Sequence, residues 1–413
     1  MVEFNGILGL TYCQTFNFIH TMYSNIPVIF IPPPKDKKLS LIVFMFFCNN
    51  AMRYLFSVLL FFGLIQGYAQ HNWAGGAMYY PGFLYAHTDD ARNLEAHIQG
   101  IEISIARTNN KDKAWSRFYK NSEVGYNFIY MDLGNPKLTG KVYGLGANFQ
   151  FRVAGKDKNH LAVRFGTGVG YITRKFDFYS NRRNMAIGSN YNGCIQLALI
   201  YQTILSSRFS LKTGVGFTHY SNGSIRVPNL GINMPSLFLG IQGGFGSKSR
   251  EAFDSTKAFK NTTKRHEVLL NYAFKERFTA KPREFHIVSL GYRYLKPLNQ
   301  VRRWYLGADL VWDPTHPYSH DLKNPNPRVG IDNSTELGAL IGHRYDIGRF
   351  AMITDVGFYI LNPYRTKYFT YQRIGFRYEL NKDLFLNGTL KVHFGTADYF
   401  EWGLGYKFNK LRK

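Results

Sequence analysis

The chain has 413 residues, of which 17% are aromatic and only 19% charged, with 35 Phe, 29 Tyr and 39 Gly. A mean hydropathy of −0.24 excludes a bundle of membrane helices; abundant Tyr, Phe and Gly at moderate hydropathy suit a transmembrane β-barrel, whose lipid-facing and lumen-facing residues average out. The formal charge of +24 invites a nucleic-acid partner, but the basic residues are spread along the chain and no nucleic-acid motif occurs, so an anionic membrane surface or anionic lipid is the expected partner class.

Taken in chain order, the first signal starts at Met52. "MRYLFSVLLFFGLIQGYAQ" has one Arg, an apolar run over Tyr54–Ile65 and a small-residue site ending at Ala69. That is the pattern of a secretory signal peptide over 52–69. Residues 1–51 then read as an upstream extension from an early start codon. Cys13 and Cys48 fall before the expected cleavage point, so an exported chain keeps Cys194 alone and forms no internal disulfide. No apolar run after residue 70 reaches the ~20 residues of a membrane helix. Membrane crossing must be done by strands.

From about residue 79, segments of roughly ten residues with period-2 alternation recur between turn signals. They lie near 79–87, 93–107, 122–132, 140–152, 160–172, 192–205, 208–221, 235–247, 265–274, 283–295, 300–312, 334–345, 348–360, 369–379, 382–395 and 398–409. The expected fold is an all-β transmembrane antiparallel barrel of about 14–16 strands; the alternative is an eight-stranded N-terminal barrel followed by a second β half. In domain terms, 70–247 carries the site, 248–264 is a linker and 265–413 supplies further strands. The last segment, "DYFEWGLGYKF", places Phe400, Trp402, Leu404, Tyr406 and Phe408 on one face and Tyr399, Glu401, Gly403, Gly405 and Lys407 on the other. Short turns at 206–207, 297–300, 346–348 and 381–383 follow even-numbered segments, and long connections at 173–191, 222–234 and 313–333 follow odd ones. Outer-membrane barrels turn tightly on the periplasmic side, which assigns the long connections to the cell exterior. The linker at 248–264 is the exception, being long on the tight side.

Two motifs read as structural. "GTGVGY" at 166–171 lacks a complete dinucleotide or Walker pattern and no helix opens after it; Gly166, Gly168 and Gly170 read as lumen-side glycines of a curved strand. His316 and His320 share a Pro-rich loop, where metal binding is the minor alternative to a structural role. No metal or organic cofactor is expected.

The segment 208–221 is different. Leu211, Val215 and Phe217 mark its apolar face, and side chains repeat every two residues, so His219 and Ser221 continue the lipid-facing row. Asn233 has the parity of Leu237, Leu239 and Ile241 on the next segment. Polar groups turned towards lipid are costly and point to function. Residues two apart on a strand lie roughly 6.5–7 Å apart, a gap that His and Ser side chains close. Serine needs a base, and the base needs a third group to fix its tautomer. The amides of Asn222 and Gly223, or the side chains of Asn222 and Asn229, are candidates to stabilise an oxyanion. The pattern suits hydrolysis of an acylated lipid.

"HYSNGSIRVPNLGIN", residues 219–233, resembles the signature of the lipid A 3-O-deacylase (PagL-type, acyloxyacyl-hydrolase-like) outer-membrane family, with looser similarity over 79–247 that includes "RFGTGVGYIT" and "NMAIGSNYN". The resemblance implies a serine esterase acting on lipid A of lipopolysaccharide among outer-membrane lipids, with Ser221 as nucleophile, His219 as base, and Asn222 and Asn229 as motif asparagines. The family's third member is Glu; this chain has Asn233 there, which can orient an imidazole but adds no charge. Residues 265–413 exceed a minimal family barrel. The rival expectation is a porin-like or structural barrel that binds lipopolysaccharide without chemistry.

Overall fold

The computed structural model describes residues 73–86, 88–108, 115, 118–119, 122–245, 266–279, 281–320, 324, 326–362 and 368–409. The expected extension at 1–51, the signal peptide at 52–69 and the linker at 248–264 lie outside these residues. Period-2 patterning dictates strands, and sixteen form among the described residues. The first eight are β1 (Trp73–Leu84), β2 (Ala96–Thr108), β3 (Glu123–Asp132), β4 (Lys141–Gly155), β5 (Asn159–Ile172), β6 (Tyr191–Ile204), β7 (Phe209–Ser221) and β8 (Ile232–Phe245). The second eight are β9 (His266–Arg277), β10 (Arg283–Pro297), β11 (Arg302–Trp312), β12 (Thr335–Ile347), β13 (Phe350–Leu361), β14 (Thr370–Glu379), β15 (Leu384–His393) and β16 (Thr396–Phe408). Every neighbouring pair is antiparallel, and the strands close as two barrels, β8 back onto β1 and β16 back onto β9. Of the two arrangements open at the sequence level, the structure takes the one with an eight-stranded N-terminal barrel and a second β half.

Side chains sort as their parity dictates. On β16, Phe400, Trp402, Leu404 and Tyr406 point outward while Tyr399 and Glu401 are buried. On β7, Val215 and Phe217 are exposed while Lys212, Thr218 and Tyr220 are buried. Strands of this length with an apolar outer face and a polar inner one match a membrane-spanning barrel.

The insides differ. An eight-stranded barrel has an interior just wide enough for side chains to fill. In the first barrel one end holds an apolar core that includes Leu84, Leu94, Ile98, Met131, Leu133, Ile172, Ile187 and Met234, with the connections after β1, β3 and β5 folded over it. Below that core, Arg164 Nη1 meets Glu102 Oε1 at 2.7 Å, with Tyr80 and Asn127 also on Glu102, and Lys212 Nζ meets Glu123 Oε2 at 2.8 Å. The second barrel is filled mainly by ion pairs. Arg344 and Arg377 share Glu267, Arg293 and Arg373 share Asp309, Lys275 joins Asp313 to Asp398, and Lys391 pairs with Glu336. Charges this deep persist only when paired.

A 22-residue connection after β11 carries the short helices α1 (His316–His320) and α2 (Ile331–Ser334). At the end of the molecule bearing the tight turns, Tyr119 and Phe149 of the first barrel pack with Val301 of the second, and Trp115 and Ile347 join them.

Candidate active site

Strand β7 ends at Ser221, and the chain turns immediately through Gly223 and Ser224, both at positive φ (61° and 63°). Its neighbours fix what surrounds the polar row. His219 stands opposite Ile195 of β6 and Asn233 of β8, and Ser221 stands opposite Gly193. Directly opposed residues present their side chains on the same face. His219 Nδ1 accordingly lies 2.7 Å from Asn233 Oδ1. A carboxamide oxygen only accepts, so it holds the proton on Nδ1 and leaves Nε2 as the basic nitrogen. Asn233 itself is pinned at the mouth of the barrel, where its carbonyl accepts the N–H of Tyr85 at 2.8 Å.

Two close approaches make this geometry possible. Gly231, at φ +82°, lies flat against the imidazole: a Cβ there would stand 2.5 Å from His219 Cε1. On the lumen side Tyr220, the residue between His219 and Ser221, lies over Gly170 and Gly144, where added Cβ atoms would come within 2.3 Å of its ring and 2.6 Å of its hydroxyl. The glycines of "GTGVGY" therefore face the lumen, and Gly170 makes room for the tyrosine that fixes the end of β7 bearing His219 and Ser221. They form no phosphate loop.

The turn after Ser221 is internally braced. Asn222 donates its backbone N–H to Asn229 Oδ1 at 3.0 Å and its side-chain Nδ2 to Ser189 Oγ at 2.8 Å, and its Oδ1 accepts the N–H of Arg226 at 3.3 Å. Of the oxyanion candidates, the Asn222 amide is thus already committed to Asn229. Asn229 supports the turn instead of lining the site, whereas Asn222 and Gly223 do line it. His219 and Ser221 open onto a cavity of about 420 Å³ on the outer face of the first barrel, walled near them by Val169, Ile195 and Leu197. Ser221 is 8% exposed, so its hydroxyl sits in apolar surroundings where a charge-stabilising donor counts for more than in water.

Sequence reasoning missed Gly231, Ser189 and Glu276. The "G-I-N" spacing before Asn233 was the only available signal for Gly231. Nothing at the sequence level marks Glu276, which lies on β9 and meets Arg226 and the Val227 N–H of this turn. Among the described residues no group of three His, Cys, Asp or Glu is assembled for a metal; His316 Nε2 lies 2.8 Å from Glu336 Oε1 inside the second barrel.

Residues 100–242 match the model of lipid A 3-O-deacylase (PagL), and residues 264–410 match that of the acyloxyacyl hydrolase C-terminal domain. The chain thus carries, one after the other, segments similar to the lipid A 3-O-deacylase family and to the acyloxyacyl hydrolase C-terminal domain. The two matches fall on the two barrels in turn, and with the barrel fold they point to the outer membrane. Solved structures similar to it include the outer membrane enzyme PagL, at 18% identity and TM-score 0.28 over 40% of this chain and 97% of that one. Neisserial surface protein A matches at 11% identity and TM-score 0.30 over 42% and 97%. The translocator domain of the autotransporter NalP from Neisseria meningitidis matches at 11% identity and TM-score 0.17 over 87% and 97%. No curated protein matches.

Proposed function

We propose that this protein is a serine esterase that removes an ester-linked acyl chain from lipid A. The observation that carries the proposal is the 2.7 Å contact between His219 Nδ1 and Asn233 Oδ1 beside Ser221, on the lipid-facing wall of the barrel. In the proposed reaction Ser221 Oγ attacks the ester carbonyl carbon while His219 Nε2 takes the hydroxyl proton. The Gly223 amide stabilises the resulting oxyanion. Collapse breaks the acyl C–O bond, and His219 returns the proton to the leaving lipid hydroxyl. Water, deprotonated by His219, then hydrolyses the acyl-enzyme and releases a fatty acid. The net charge of +24 favours a phosphorylated lipid headgroup.

The site lies at the end of the barrels where the long connections 173–190, 222–231 and 313–334 gather, opposite the tight turns at 205–208, 298–301 and 348–349. In the proposed orientation that end faces the outer leaflet, where lipid A resides. A tag within 313–333 is then labelled on intact cells and one at 346–348 is not. Of the rival reading, the porin-like form lacks a conduit through the described lumens, which are filled by side chains, and the structural, lipopolysaccharide-binding form predicts no turnover. The decisive test is mass spectrometry of lipid A incubated with the purified protein in detergent. Loss of one acyl chain together with appearance of the free fatty acid is expected; lipid A of unchanged mass would refute the esterase.

A further inference from the structure

The apolar cavity does not belong to the first barrel alone. Its far wall is the outer face of the second barrel: Met352 of β13, Ile374 and Phe376 of β14, Leu390 of β15 and Phe400 of β16 face the His219–Ser221 row across it. The catalytic turn is also tied to that barrel. The Glu276 carboxylate holds Arg226 and accepts the Val227 N–H at 3.2 Å, and its own N–H donates to the Ser224 carbonyl at 2.8 Å. The Phe400 N–H donates to the Gly223 carbonyl and the Ser224 hydroxyl to the Ala397 carbonyl, each at 3.3 Å. Gly223 is packed so closely that a Cβ would stand 2.8 Å from Phe400 Cβ. At the opposite end, Tyr119 and Phe149 pack on Val301. The gap between the barrels is thus held at both ends.

An acyl chain lying on the open wall of a single barrel would compete with every neighbouring membrane lipid. A second apolar wall changes that, because it removes the competing lipids and bounds the chain's length and girth. A cavity of about 420 Å³ holds on the order of a dozen methylenes at roughly 30 Å³ for each small group.

We infer that the second barrel is the other half of the active site: the inter-barrel cavity receives the acyl chain whose ester Ser221 attacks, and Leu390, Ile374 and Phe400 set the length that fits. The inference rests on the esterase reading for its chemistry, and its test separates the two. In the full-length protein, Leu390→Trp narrows the cavity on a lipid-facing position that tolerates an aromatic ring. Rates are read on p-nitrophenyl butyrate, laurate and palmitate. Wild type should prefer laurate to butyrate, and Leu390→Trp should lower that laurate-to-butyrate ratio of kcat/KM by about tenfold or more; Phe400→Ala should shift the preference towards palmitate. A ratio indifferent to both substitutions in an active enzyme would overturn the inference while leaving the esterase intact. Native mass spectrometry of Ser221→Ala with laurate supplies a readout that needs no turnover. One bound laurate, lost on adding Leu390→Trp, supports the cavity even where hydrolysis fails, and no retained laurate counts against it.

Discussion

The two barrels share a strand number and an apolar outer face, and they differ in what fills them. The first packs one large apolar core under its site end, while the second holds only small apolar clusters among interlocked ion pairs. The apolar core sits beneath the one place where strand geometry must be exact, the end of β7. Tyr220 reaches into that core between the two outward residues of the proposed pair, so the wall that bears the pair is locked by close packing, which tolerates little displacement. The second barrel contributes an outer face and a few backbone contacts, for which charge pairing is sufficient scaffolding.

The largest effects should come from the reactive side of this contrast. Ser221→Ala and His219→Ala are each expected to reduce deacylation by about a thousandfold or more, with a folded, heat-modifiable barrel retained. The double variant should be little worse than either single one, because the groups act as a unit. Mass-spectrometric turnover of acylated lipid A measures this, and additive losses would separate the two residues mechanistically.

The next effect tests the scaffold side. Glu267 is shared by Arg344 and Arg377, so Glu267→Ala leaves two buried cations short of a partner. Breaking such a pair costs about 3–5 kcal/mol. Heat-modifiability on gels should show unfolding at clearly lower temperature than wild type. An unshifted transition would mean that these pairs do not hold the second barrel together.

A smaller change probes the fit around the proposed base, His219. Gly231→Ala adds a Cβ 2.5 Å from His219 Cε1 at a φ of +82°, so the imidazole must move. A shift of about 1 Å in a positioned group costs on the order of a hundredfold in rate. The loss is expected in kcat with thermal unfolding little changed. Equal activity in Gly231→Ala would show that His219 does not occupy its seat in the working enzyme.

How much of this was legible beforehand follows from what period-2 patterning reports. It marks faces, so the strands and the outward row of His219, Ser221 and Asn233 were readable from single residues such as Phe217 and Leu239. β1 was placed from 79, whereas it begins at Trp73: "AGGA" has no alternation, and pairing with β2 and β8 recruits it. Patterning does not report closure. Sixteen similar strands suit one ring or two, and only the pairing of β8 with β1 decides. Nor does it say which outer faces abut, so Glu276 and Leu390 were invisible as neighbours of the site. The commitment of the Asn222 amide to Asn229 depends on a turn whose positive-φ residues include Ser224, a residue that carries no such signal in its side chain.

The smallest expected effect concerns Asn233 and separates orientation from charge. Asn233 Oδ1 already stands at hydrogen-bonding distance from His219 Nδ1. Asn233→Asp keeps that length and adds a negative charge next to the imidazolium that forms during attack. Asn233 is as buried as Ser221, at 8% exposed, so the new carboxylate must itself be desolvated and that cost offsets much of its attraction to the imidazolium; the gain should be at most about one to two kcal/mol, or roughly tenfold in kcat. Asn233→Ala removes the acceptor, frees the ring to adopt the other tautomer and should lower kcat below wild type. Asn233→Glu restores the residue type of the family at this position but is one methylene longer than the 2.7 Å contact accommodates without movement of β8, so it should fall between Asn233→Ala and Asn233→Asp. The order of the four kcat values is the measurement. If Asp and Ala variants turn over lipid A equally, the residue at 233 neither orients nor charges the proposed base.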